Sequence, residues 1–204
     1  AFQNLKNVKV HILYPKGLIS DVQEKQLTTY GKNIFAYQVD GNFDECQDLI
    51  KKSLQDKELT DKILFFPANS INIARLIPQS LYYFWAFAQY KKLNINKELN
   101  ICVPSGNLGN LSGGIIAYKL GLPIKCFIGA TNINETFKKY LQDGEKGIKD
   151  IKRAIPTLSS AMDISVPNNL KRLIFAFNDS NINNLISSYS VADEETLEGI
   201  KEFH

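Results

Sequence analysis

From Cys102 to Gly114 the sequence reads Cys-Val-Pro-Ser-Gly-Asn-Leu-Gly-Asn-Leu-Ser-Gly-Gly, residue types that suit the capture of a compact oxyanion. The apolar run Leu99 to Val103 predicts a strand, and Leu111 to Leu120 predicts a helix that stops at Gly121. Between them lie Gly106 and Gly109, three residues apart. Glycines let backbone amides approach a ligand without side-chain obstruction. A helix start adds unpaired N–H donors and the positive end of the helix dipole. Ser105 and Asn107 offer further donors. A tight strand-to-helix turn, with glycines present only for packing, has the same appearance, and shape alone does not separate the two. Two rivals do fail on spacing. A dinucleotide fingerprint needs glycines at loop positions one, three and six and an acid after the next strand. Here Asn107 and Leu108 follow Gly106, and the strand starting at Ile124 runs into Thr131-Asn132. No Gly-Lys-Ser/Thr follows either, so a triphosphate loop is excluded. The pattern fits a single phosphate.

A second polar segment, Ala68-Asn69-Ser70-Ile71-Asn72 with Arg75, precedes a long apolar stretch. Asn69, Ser70 and Asn72 either line a site or cap the helix that follows. Arg75 carries a fork that matches phosphate oxygens, or it makes a surface ion pair.

These segments need a scaffold, and the rest of the chain predicts a parallel one. Val8 to Tyr14 and Ile34 to Val39 read as strands, the first of them buried. Ser20 with Gln23 forms a capping-box pair for one helix, and Phe43 to about Gln55 is an amphipathic second helix. Strand, helix, strand, helix with short joints gives βαβ units and a helix-covered sheet. Ile73 to Leu93 reads as a helix apolar on nearly all sides, hence central and buried, with Pro78 in its first turns. Further helices are expected near Ile133 to Leu141, Asn168 to Phe177 and Glu194 to Phe203, the last capped by Ser190 and Asp193. The expected fold class is α/β, a three-layer αβα arrangement with a mostly parallel sheet. It forms a single region over 1–204, with a helical, less regular extension from about 143.

Composition narrows the partners. The chain has 204 residues, 44% hydrophobic and 22% charged, with net charge +3, and the charges are dispersed. That balance argues against nucleic acid or an anionic membrane. Cys46, Cys102 and Cys126 lack metal-ligand spacing and imply no disulfide framework, which points to a reducing, cytoplasmic setting. No apolar run approaches the roughly 20 residues a bilayer requires. The chain opens on Ala1 and enters a strand by about residue 8, which reads as an excised piece. His11 is expected as a packed core histidine, and the Tyr82 to Trp85 aromatics as core.

Val103-Pro104-Ser105-Gly106-Asn107-Leu108-Gly109-Asn110 closely resembles the phosphate-cradle motif of threonine synthases, pyridoxal-phosphate enzymes of the tryptophan-synthase-β-like fold type II. Ala68 to Asn72 with Arg75 resembles the family's second signature. Asp40 to Asp44, Ala130-Thr131-Asn132 and Ser160-Ala161-Met162-Asp163 resemble family segments in the same order. The likeness runs from the first strand to about Leu173. Leu108, where an aromatic is usual, and Pro67 depart from the pattern. The resemblance implies pyridoxal 5'-phosphate as cofactor, held at its phosphate by the amides of Gly106, Asn107, Leu108, Gly109 and Asn110 beside Ser105. Asn69, Ser70, Asn72 and Arg75 would face the substrate, O-phospho-L-homoserine, which the family converts with water to L-threonine and phosphate. A different fold-type II lyase, such as a serine/threonine dehydratase, and a non-catalytic phosphate-binding pseudoenzyme are the alternatives. The family's Schiff-base lysine lies in a Ser-Phe-Lys-Asp-like motif that does not occur in these 204 residues. Gly147-Ile148-Lys149-Asp150 imitates it within a charged, solvated stretch. No residue of this chain is therefore assigned as catalytic, and the chain alone is expected to be inactive.

Overall fold

The computed structural model describes residues 2–95, 97–151, 153–177 and 182–203. His204 lies outside them. The chain divides into two compact units, one up to Phe66 and one from Pro67 onward.

The first unit contains β1 (Val10–Pro15), α1 (Asp21–Thr28), β2 (Ile34–Val39), α2 (Phe43–Gln55) and the short α3 (Lys57–Thr60). β1 and β2 pair in parallel, Val10 opposite Ile34 through Pro15 opposite Val39. Both longer helices start in reciprocal caps. The Ser20 hydroxyl accepts the Gln23 N–H while the Gln23 side chain accepts the Ser20 N–H, and Asn42 and Glu45 repeat the exchange. Each box satisfies two amides that a helix start leaves unpaired. β1 is only partly buried, and His11 is not a core residue. Strand alternation puts His11 on the face opposite the buried Tyr14. There it is exposed and stacks on Phe35 and Tyr37, with Nδ1 3.1 Å from the Tyr37 hydroxyl.

The second unit starts with a 3-10 turn (Ile73–Arg75) and continues through α4 (Leu76–Lys92), β3 (Leu99–Pro104), α5 (Gly109–Lys119), β4 (Ile124–Thr131), α6 (Thr136–Asp143) and α7 (Glu145–Ile148). A second 3-10 turn (Ser160–Met162), α8 (Leu170–Phe177), α9 (Ile182–Leu185), β5 (Ile186–Ser190) and α10 (Asp193–Glu202) complete it. Its sheet has the order β3-β4-β5 and is parallel throughout, as the α/β reading expects. The polar Ser-Ser-Tyr-Ser of β5 hid that strand from a periodicity reading. It pairs along β4 from Phe127–Ile186 to Thr131–Ser190.

The core gathers Tyr83, Val103, Leu111, Ile115, Phe127 and Phe137 around α4, α5 and β4. Two glycines set how closely α5 packs. A Cβ on Gly113 would lie 3.0 Å from Gln79 Cβ, and one on Gly114 would lie 2.6 Å from Tyr83 Cζ and 2.7 Å from Phe127 Cε1. Small residues there bring α5 against α4 and β4.

Two further expectations need correction. α4 is not buried all round: it buries Leu76, Ser80 and Tyr83, while Ile77, Leu81, Tyr82 and Trp85 are exposed. The i, i+4 spacing of Ile77, Leu81 and Trp85 keeps them on one stripe. Ser190 does not cap α10. Its hydroxyl donates to the Glu135 carboxylate, and the α10 start is closed by the Glu195 side chain accepting the Ala192 N–H. Ser190 and Lys138 together hold the Glu135 carboxyl below the usual carboxylate range, Lys138 contributing most.

Candidate functional site

β3 runs out at Pro104, and one more ladder bond, Ser105 N–H to the Ala130 carbonyl at 2.7 Å, ties the chain to β4. Beyond it the backbone leaves the sheet. The Ser105 hydroxyl turns inward and donates to the Val103 carbonyl at 2.7 Å. At Leu108 the chain adopts a left-handed conformation, φ 57° and ψ 17°, and then enters α5 at Gly109. A non-glycine residue in that region costs on the order of 1–3 kcal/mol and persists only where its surroundings enforce it. Here the leucine side chain is buried in the core at 1% exposure, a gain of about 1.5–3 kcal/mol that offsets the strain.

A left-handed residue followed by a right-handed one turns successive amides toward a common point, an anion-binding nest. Among the described residues, no amide from Gly106 to Leu111 donates to a backbone carbonyl. The first bond of α5 is Ser112 N–H to Leu108 carbonyl, at 2.8 Å. These amides without a backbone acceptor stand at the positive end of an 11-residue helix. That arrangement fits one phosphate group.

Packing explains Gly106 and leaves Gly109 open. A Cβ on Gly106 would meet the Ala161 carbonyl oxygen and the Met162 Cα at 3.0 Å, both backbone atoms. Gly106→Ala is expected to displace that segment and cost about 1–2 kcal/mol in urea unfolding; an unchanged midpoint would contradict the close approach. The 161–162 backbone is fixed by a polar knot. Asn132 Nδ2 donates to Asp163 Oδ1 and Thr157 Oγ1, both at 2.8 Å, and the Thr157 N–H reaches Asp163 Oδ2 at 2.9 Å. At Gly109 a Cβ would have ordinary room, 3.4 Å from Ser70 Cβ, 3.6 Å from Gln79 Oε1 and 3.8 Å from Asn169 Nδ2.

The structure brings only some of the expected residues together. Ser70 lies against Gly109 beside the open amides. Asn107 and Asn110 direct their side chains into the protein. Asn107 Oδ1 accepts from the Asn168 amide at 3.2 Å, and its backbone carbonyl accepts from Asn169 Nδ2 at 2.8 Å. Asn110 accepts the Tyr83 hydroxyl at both its carbonyl and Oδ1, at 3.0 and 2.9 Å. Burial pushes the Tyr83 hydroxyl far above its usual range, so it stays a proton donor. Asn69 Oδ1 accepts the Ile71 N–H, and Asn72 spans from the Pro67 carbonyl to the Ala74 N–H. Asn72 caps the 3-10 turn, and Asn69 closes a local turn. Arg75 is exposed and donates to the Ala68 carbonyl at 3.3 Å. Lys149 is exposed at the end of α7.

Sequence reasoning missed Asn168, Asn169 and Arg172. Arg172 reaches the Ser70 and Ile71 carbonyls and Asn169 Oδ1. The one available signal was Asn168-Asn169 ahead of an apolar helix with an arginine three residues on.

A family model described as "Pyridoxal-phosphate dependent enzyme" matches residues 3–204. The chain belongs to this family. Among its relatives, threonine synthase from Buchnera aphidicola of Acyrthosiphon pisum is 45% identical over 204 residues, 99% of this chain and 46% of the relative. The crystal structure of threonine synthase from Escherichia coli superposes with a TM-score of 0.89 at 44% identity, covering 99% of this chain and 46% of that one. The PLP-bound threonine synthase from Brucella melitensis gives 0.79 at 31% identity, covering 96% and 47%. The chain thus spans about half the length of the relatives it matches. Its parallel sheets and helices are those of a pyridoxal-phosphate enzyme, and the nest between β3 and α5 lies in its second unit. Among the described residues no helix is long and apolar enough to cross a membrane.

Proposed function

We propose that this chain is the phosphate-binding part of a threonine synthase and that the amides of Gly106 to Asn110, beside Ser105, hold the phosphate of pyridoxal 5'-phosphate. The observation that carries this reading is the run of open amides at a left-handed to right-handed junction on a helix start. Bare N–H groups are donors only, and they match a group that only accepts. Bound there, pyridoxal phosphate supplies an electron sink for the amino-acid carbons. The residues of this chain grip and orient. The amides take the phosphate, Gly106 seals one wall against Ala161 and Met162, and Ser70 stands over Gly109 as a polar contact for ligand. Asn69, Asn72 and Arg75 shape that turn and are assigned to the substrate side with Ser70. The substrate is O-phospho-L-homoserine. Its Cγ–O bond breaks with the electron pair leaving on phosphate, Cγ gains a hydrogen that Cβ gives up, the hydroxyl of water joins Cβ, and the remaining proton of water ends on the released phosphate.

No Ser-Phe-Lys-Asp-type lysine occurs in the 204 residues, so the chain by itself is expected to release no threonine. Threonine release from O-phospho-L-homoserine by the complete protein carrying this chain is the test. Turnover of that substrate, with little turnover of serine or threonine, is the expected result. A protein that deaminates serine or threonine and leaves phosphohomoserine untouched overturns the substrate assignment.

A further inference from the structure

We propose that Arg172 is a positioning residue for the phosphate nest, a role that rests on the phosphate-site reading above. Arg172 stands in the first turn of α8 and is half-buried. Its Nη1 donates to the Ser70 carbonyl at 2.8 Å and to Asn169 Oδ1, and its Nη2 donates to the Ile71 carbonyl. Asn169 is fully buried and passes the connection on, its Nδ2 donating to the Asn107 carbonyl at 2.8 Å. Arg172, through Asn169, thus joins the Ser70–Ile71 turn, 102 and 101 residues away in sequence, and the glycine loop, 62 residues from Asn169, into one wall. Its placement matters to ligand because Ser70 Cβ and Asn169 Nδ2 both lie within 4 Å of where a Gly109 Cβ would stand.

The chemistry of its partners adds a second point. Every acceptor of Arg172 is neutral, and among the described residues no carboxylate lies within ion-pair distance of it. A half-buried cation without a counter-ion is unfavourable unless an anion comes to it. A fork that needs two nitrogens for three acceptors also separates arginine from lysine, which offers the charge without the geometry. The guanidinium therefore fixes the Ser70 turn over the nest, and its unpaired charge favours the ligand that carries phosphate.

Binding of pyridoxal phosphate and of pyridoxal to the 204-residue chain, followed by titration calorimetry or NMR, tests this. The quantity read is the ratio of the two affinities, since a general loosening of the fold lowers both together. The unaltered chain is expected to prefer the phosphorylated form. Arg172→Met should lower that ratio about tenfold or more, and Arg172→Lys should recover less than half of the loss on a logarithmic scale. A ratio unchanged in Arg172→Met overturns the proposal. Full recovery in Arg172→Lys also overturns it, because charge alone would then suffice. If Arg172→Met does not fold, Arg172→Lys decides by itself: a lowered ratio supports the proposal and an unchanged one overturns it. An unaltered chain that binds both forms equally defeats the phosphate-site reading itself, and this proposal with it.

Discussion

Gly109→Asp is expected to keep the fold and lose the ligand. A carboxylate at the first position of α5 suits the helix dipole, so the urea midpoint should hold or rise slightly. Room for the new Cβ exists, with the nearest atom, Ser70 Cβ, at 3.4 Å. The carboxylate would, however, occupy the amides proposed to hold phosphate and repel a dianion. Two unit charges 4 Å apart near a protein surface interact by roughly 4 kcal/mol, so a loss of at least about a hundredfold in pyridoxal-phosphate affinity is expected. Gly109→Asn serves as the neutral control and should lose much less. Equal losses in both would mean that bulk, not charge, closes the site.

Gly114→Val should act in the opposite sense, through the fold. A Cβ there would sit 2.6 Å from Tyr83 Cζ and 2.7 Å from Phe127 Cε1. Both rings are buried, Phe127 completely, and they meet edge to face with centroids 5.8 Å apart. Neither has space to withdraw, and the branched side chain enlarges the overlap. A loss of about 3 kcal/mol in urea unfolding follows. Tyr83 also donates its hydroxyl to Asn110, in the first turn of α5, so its displacement carries the damage to the nest. Gly114→Val should therefore weaken ligand binding even where the protein remains folded. A stable variant with full affinity would contradict the packing described for α4, α5 and β4.

Local rules made much of this molecule legible before any coordinates. The Ser20–Gln23 pair, the helix from Phe43 to Gln55 and the strands starting at Leu99 and Ile124 are each specified within a few residues, and each appears where expected. What failed depended on partners far away in sequence. His11 looked like core because its strand is apolar, yet which face of a strand is covered is decided elsewhere in the fold. α4 looked central because its residues are apolar on all sides, and burial of one side is not written in the helix itself. β5 carries polar residues that periodicity reads as loop, although β4 supplies its hydrogen bonds.

The site divides the same way. The glycine loop suggested a backbone role through its place between a strand and a helix start, whereas the side chains of Ser105 and Asn107 looked like ligand donors and bond within the protein. Their partners, Val103 and Asn168, were not deducible from the loop. Arg172 escaped notice because its role exists only once Ser70, Asn169 and Asn107 are neighbours.

Amide-resolved NMR of the 204-residue chain, titrated with pyridoxal phosphate and separately with pyridoxal, addresses the open amides most directly. The resonances of Gly106, Asn107, Gly109 and Asn110 should exchange rapidly with solvent in the free chain, shift with the phosphorylated ligand and stay in place with the other. Slow exchange of those amides in the free chain, or resonances that ignore the phosphorylated ligand, would show that their donors are already satisfied and that the loop is only a corner in the packing.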